Sequence, residues 1–191
     1  MTAIGDWLKK LGACSEAIPS FENAAGIIPG VNSIKRPDWL LWFCFTQAEG
    51  ESEKLHLLGA LHKLMSGPIL HVLANQPVKA AAAQALDDAS KFIKGEPVPL
   101  QEAHAHHDAL IGLKIPPHEK LAADLARGLL AMCLTQAGSS SGAVGAILAT
   151  KWMRFLGVEG DEATLTATNK LRDALDFQGE LPPAVAKAQG L

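Results

Sequence analysis

Apolar residues recur along this chain at spacings of three and four, in blocks bounded by glycine, proline or a capping polar residue. That is the pattern of successive amphipathic helices. Asp6 is placed to cap a short helix carrying Trp7, Leu8 and Leu11 that ends near Gly12. Cys14 to Phe21 offers a second short helical stretch, limited by Pro19, and Gly26 to Lys35 reads as a loop around Pro29, Gly30 and Asn32. The third helix is predicted from Pro37 to Ala48, with Pro37 in the first turn and Asp38 at the positive N-terminal end. Within it, Trp39 to Phe45 is apolar without interruption, so this helix is expected to be buried on all sides, with Trp39 and Trp42 as a centre of the core.

Ser52 and Glu53 begin a segment with Leu55, Leu58, Leu61, Leu64 and Met65 on a helical repeat. Gly67-Pro68 should break or kink it, because proline removes a ladder bond and clashes with the preceding turn. Ile69 to Ala74 would continue past the kink. Pro77 opens an alanine-rich helix to Lys94, with Gly95 as its stop, and Pro97-Val98-Pro99 is a linker. Leu100 to Leu113 is a histidine-rich helix. After Pro116-Pro117, Leu121, Leu125, Leu129 and Met132 mark the next. Ser139, Ser140 and Ser141 supply N-caps for a helix through Ala143, Ile147, Lys151 and Phe155 to Gly157. Asp161 caps the last, carrying Leu165, Leu171 and Leu175 and ending before Gly179.

About nine helices with short connections predict one all-α domain over residues 1–191, as a multi-helix bundle or a short stack of helical hairpins. The tail, 180–191, has little to pack and is expected to be loosely held. Leu55 to Gly95 and Lys120 to Gly157 are helical pairs of similar length, but no period is clear enough to define a solenoid.

Composition supports this picture. Apolar residues make up 48% and charged residues 19%, a globular balance, and tyrosine is absent. A net charge of −3 argues against a general nucleic-acid binder, which needs a lysine and arginine excess. Cys14, Cys44 and Cys133 are far apart and lie in apolar stretches, as reduced core thiols of a cytoplasmic protein would. No signal peptide is expected, and no apolar run approaches the roughly 20 residues of a membrane span.

Candidate chemistry is sparse. His104, His107 and Asp108 share one helical face and could offer three ligands to zinc, which would make the chain a metal-binding module or a metal-dependent enzyme, although no other ligand pattern stands beside them. Solvated histidines on an exposed face are the simpler reading. His56, His62 and His71 do not share a face, and His118 beside Glu119 reads as a surface pair at a helix start. Ser139-Ser140-Ser141-Gly142 lacks the lysine of a phosphate-binding loop and the pattern of a nucleophile elbow, so capping explains it. Gly142, Gly145, Ala146 and Ala149 suit close helix–helix approach. Cys133 has no electropositive neighbours in sequence to activate it. Glu49, Glu51, Glu53 and Lys54 form a charged, solvated helix start. No enzyme and no cofactor is expected.

Leu11-Gly12-Ala13-Cys14-Ser15-Glu16-Ala17, followed after a gap by Arg36-Pro37-Asp38-Trp39-Leu40-Leu41-Trp42, resembles a bacterial group of small alanine-rich helical proteins. Downstream, Ala81-Ala82-Ala83-Gln84-Ala85-Leu86, Lys94-Gly95-Glu96 and Ala103 resemble the part of that group identified with immunity proteins of polymorphic toxin systems. The likeness spans about residues 8–110, and the His104–His107 cluster departs from it. It implies a protein that works without catalytic residues, by occupying another protein. The expected partner is a toxin, or a host defence-complex subunit if the chain is an inhibitor from a phage or mobile element. A structural module of a larger assembly is a further alternative. Trp7, Trp152 and Arg154, outside the densest apolar segment, are the candidate partner-binding anchors.

Overall fold

A computed structural model describes residues 3–22, 34–48, 50–135 and 141–175. Among these it has nine helices and no strand. They are α1 (Ala3–Lys10), α2 (Ile18–Glu22), α3 (Pro37–Gln47), α4 (Glu51–Val72), α5 (Gln76–Ile93), α6 (Leu100–Asp108), α7 (Pro117–Leu134), α8 (Ser141–Phe155) and α9 (Asp161–Leu175). The all-α class expected from the apolar spacing is the observed one. The expected loop over 26–35 lies outside the described residues except for Ile34 and Lys35. The serine caps at Ser139 and Ser140 and the tail, 180–191, also lie outside them.

Helix α7 is central. It packs against α4, α5, α6 and α8, and α8 in turn carries α3 on its other side. The apolar face of α7 reads Ala122, Ala123, Leu125, Ala126, Leu129, Leu130, Met132 and Cys133, all buried, so its many alanines let neighbouring backbones come close. Helix α9 rests on α3 and α4 and is tied to the segment ahead of α3. There the Thr168 hydroxyl lies 2.8 Å from the Lys35 carbonyl and Arg172 Nη2 donates to the Ile34 carbonyl at 2.6 Å.

The helix ends follow local chemistry. Asn75 caps α5, its side chain accepting from the Val78 amide. Gly95 and Gly157, at φ +70° and +63°, take the left-handed turn that ends α5 and α8, as their positions in the sequence suggested. Other ends differ from expectation. Asp6 lies inside α1 rather than capping it. Gly160, ahead of Asp161, accepts the first backbone bond of α9 from Thr164. Helix α6 stops at Asp108, not Leu113, because the chain turns there to bury Leu110 and leaves through Gly112 at φ +69°.

Two larger expectations are corrected. Helix α4 continues through Pro68 to Val72 instead of breaking. Pro68 is exposed, so the ring meets solvent, and the ladder bond it removes is one among the many of a 22-residue helix. Helix α3 is not buried all round. Leu40, Leu41, Phe43, Cys44 and Phe45 are buried, whereas Trp39 and Trp42, three apart, are only partly buried against the core. Arg36 covers Trp39, its guanidinium 4.7 Å from the ring centroid, while two of its nitrogens hold Asp38 at 3.1 and 2.7 Å. That pairing with Asp38 raises the Arg36 pKa above its ordinary value. Cys14 likewise is exposed, while Cys44 and Cys133 are buried thiols.

Candidate functional site

The most enclosed of the three grooves described lies where α6, α7 and α8 meet, a cleft of about 210 Å³. Helix α7 supplies Asp124, Arg127 and Gly128, α8 supplies Ile147, Leu148 and Lys151, and His107 enters from the end of α6. Gly128 permits the approach of α8: a Cβ there would stand 3.0 Å from Leu148 Cδ1. Asp124 sits between two cations, with Lys151 Nζ 3.4 Å from one carboxylate oxygen and Arg127 Nη2 3.6 Å from the other. Both cationic side chains are about three-quarters buried (28% and 29% exposed). His107 turns its Nδ1 onto Asp108 at 2.9 Å. Ile147 forms the lip of the cleft and is 57% exposed, one of the most exposed large apolar residues described.

Arg154 lies on the same face of α8, one turn beyond Lys151 and two beyond Ile147, and is exposed. It is the one proposed anchor that stands on this surface. Trp152 points the other way: it is 4% exposed and stacked on Phe155 at 5.4 Å, so it belongs to the core and not to an accessible face. Trp7 is half-buried, edge-on to Phe43 at 6.4 Å, where it joins α1 to α3.

The histidine cluster is divided among different tasks. Among the described residues no three His, Cys, Asp or Glu side chains are placed to hold a metal ion, and His104, His107 and Asp108 form no such group. His104 is exposed and Asp108 projects into solvent, while His107 lines the cleft. His106, which does not share their face, makes the closest contact of the cluster: its Nδ1 is 2.6 Å from Asp88 Oδ2. Asp88 is 7% exposed, so this pair fixes α6 onto α5 across a buried carboxylate.

Glu119 is also not the surface residue its neighbour His118 suggested. It is 5% exposed, and its Oε2 accepts from the amides of Ala74 and Asn75 at 3.2 and 3.1 Å. The carboxylate thereby satisfies backbone donors at the turn between α4 and α5 and ties that turn to the first turn of α7. Burial pushes the Cys44 and Cys133 thiols up to about 12, so neither is a nucleophile at neutral pH. Two wider grooves, of about 770 and 620 Å³, lie beside α4 and along the start of α9. They are more open and bring together no comparable set of partly buried charges.

Comparison with protein-family models, curated proteins and solved structures finds no match. No helix among the described residues is long and apolar enough to cross a membrane. The class defined by this fold is an all-α bundle with a small charged cleft on its surface.

Proposed function

We propose that this protein is a non-enzymatic, cytoplasmic protein-binding module that occupies and blocks another protein, as the toxin-immunity proteins resembled by its N-terminal half do. The observation that carries this reading is the outward face of α8. A bundle with ample apolar residues to fill its core leaves Ile147 largely exposed, beside two partly buried cations and in line with Arg154. Interfaces concentrate binding energy in such places, where an apolar or arginine anchor borders a partly desolvated pocket. The buried thiols and the dispersed histidines support binding over catalysis.

The test is co-expression with the product of each neighbouring gene, scored by rescue of growth and by a stoichiometric complex on light scattering. The expected result is rescue by the intact protein together with a complex that survives gel filtration. If no neighbouring product is toxic or forms a complex, the immunity reading falls.

A further inference from the structure

Arg127 and Lys151 share one carboxylate, Asp124, among the described residues. Each has spare donors, since a guanidinium carries five N–H groups and an ammonium three, and both contacts to Asp124 are long. His107 is already turned onto Asp108, whose carboxylate is largely exposed to solvent. Two partly buried cations beside one carboxylate leave the cleft with a local excess of positive charge and with donors that water or an anionic partner can fill. The apolar lip is immediately adjacent, with Val144, Ile147 and Leu148 on the α8 side.

We infer that this cleft receives an acidic segment of the partner protein, in which an aspartate or glutamate inserts between Arg127 and Lys151 and a neighbouring large apolar side chain covers Ile147. This rests on the protein-binding reading above and adds the chemistry of the partner. The local sign is what makes it specific: the chain as a whole carries −3, yet the cleft has two cations to one lining carboxylate, and Arg154 extends the positive stripe along α8. An acidic segment would be drawn to this local excess of cations. A nucleic acid fits less well, because its affinity comes from many neutralised phosphates and this face offers few cations around an apolar lip.

Selection of displayed random peptides on the full-length protein tests the inference. Enriched peptides should carry aspartate or glutamate next to a large apolar residue and bind more weakly as salt is raised. Their affinity should fall roughly tenfold or more for Arg127→Gln with Lys151→Gln, and likewise for Ile147→Asp. Circular dichroism and denaturant melts of the same variants establish that each is folded. Enriched peptides without acidic bias overturn the inference, as do acidic peptides that bind the double variant equally well. Full competition by succinate or inorganic phosphate, with no need for an apolar residue, would make the cleft a small-anion site instead. A single-stranded oligonucleotide that binds more tightly than any peptide would also defeat it. In the growth assay, rescue that survives both variants removes the cleft from the interface while protein binding stands, whereas no rescue by the intact chain removes the underlying reading.

Discussion

On the side of α8 that meets α3, Gly142 and Gly145 let two backbones approach until nothing larger than hydrogen fits between them. A Cβ on Gly145 would lie 2.9 Å from Phe45 Cδ2 and 3.4 Å from the Leu41 carbonyl oxygen, and one on Gly142 would overlap the Thr46 hydroxyl. On the opposite side, Ile147, Lys151 and Arg154 face solvent or an open cleft. One helix therefore has an inner face on which every atom is constrained and an outer face on which large side chains are left standing. The inner face answers to packing, so its substitutions should register in stability. The outer face has no comparable packing to lose, so its substitutions should register in binding.

The largest expected effect is on the inner face. Phe45 is fully buried, so Phe45→Ala should lower unfolding free energy by about 3–5 kcal/mol in denaturant melts. A loss under about 1 kcal/mol would mean that the α3–α8 contact is not part of the cooperative core. Cys44, on the same helix, gives a pH-dependent version of the experiment. Its thiol is raised from 9.0 to about 12 by burial. Between those values the folded chain retains a proton that the unfolded chain has lost. Stability is therefore unaffected by this group below pH 9 and falls as pH rises toward 12, by up to about 1.4 kcal/mol per pH unit. Cys44→Ala should reduce that slope and leave the share of Cys133, whose buried thiol is raised to about 12 as well; an unchanged slope would show that the Cys44 thiol is not buried as described.

A pair of glycine substitutions sharpens the contrast further because the two should differ in size. Gly145→Ala forces a methyl group against Phe45 and Leu41, and overpacking typically costs about 1–3 kcal/mol, offset in part by the roughly 1 kcal/mol of helix propensity that alanine gains over glycine. The net expectation is a destabilisation of about 1 kcal/mol. Gly67→Ala, at an exposed position of α4, meets no residue outside its chain neighbours, but it precedes Pro68, whose ring disfavours helical backbone at a residue bearing a Cβ, so the roughly 1 kcal/mol of propensity gain is offset and the change should be close to neutral. An equal loss at both positions, in thermal or denaturant melts, would remove the argument that close approach selects glycine on α8.

How much of this was legible beforehand differs between the two faces. The inner face was readable: Gly142, Gly145 and Ala149 are small residues at helical spacing, and only their partner helix had to come from the structure. The partial burial of Trp39 and Trp42 was not, because an all-apolar stretch carries no periodicity to say which side faces out. The cleft was largely invisible as well. Asp124 and Arg127 are an ordinary-looking pair one turn apart, and only the fold brings Lys151 and His107 to them from other helices. The same is true of His106 with Asp88, 18 residues apart, and of Glu119 with the amides of Ala74 and Asn75. Periodicity locates what is buried on a helix. It does not say which distant polar group a buried carboxylate will meet.

The smallest expected effect on stability is the one that bears most on function. Ile147 makes its contacts at the rim of the cleft and is 57% exposed, so Ile147→Asp removes little buried area and should change unfolding free energy by no more than about 0.5 kcal/mol. Aspartate also places a negative charge beside Asp124, which an acidic partner would oppose. If the outer face of α8 is the working surface, this variant keeps the wild-type melt and loses partner binding or growth rescue. If Ile147→Asp instead destabilises by an amount close to that of Phe45→Ala, the isoleucine is part of the packed core and the two faces of α8 are not distinct. A variant with both melt and rescue unchanged would place the working surface on another helix.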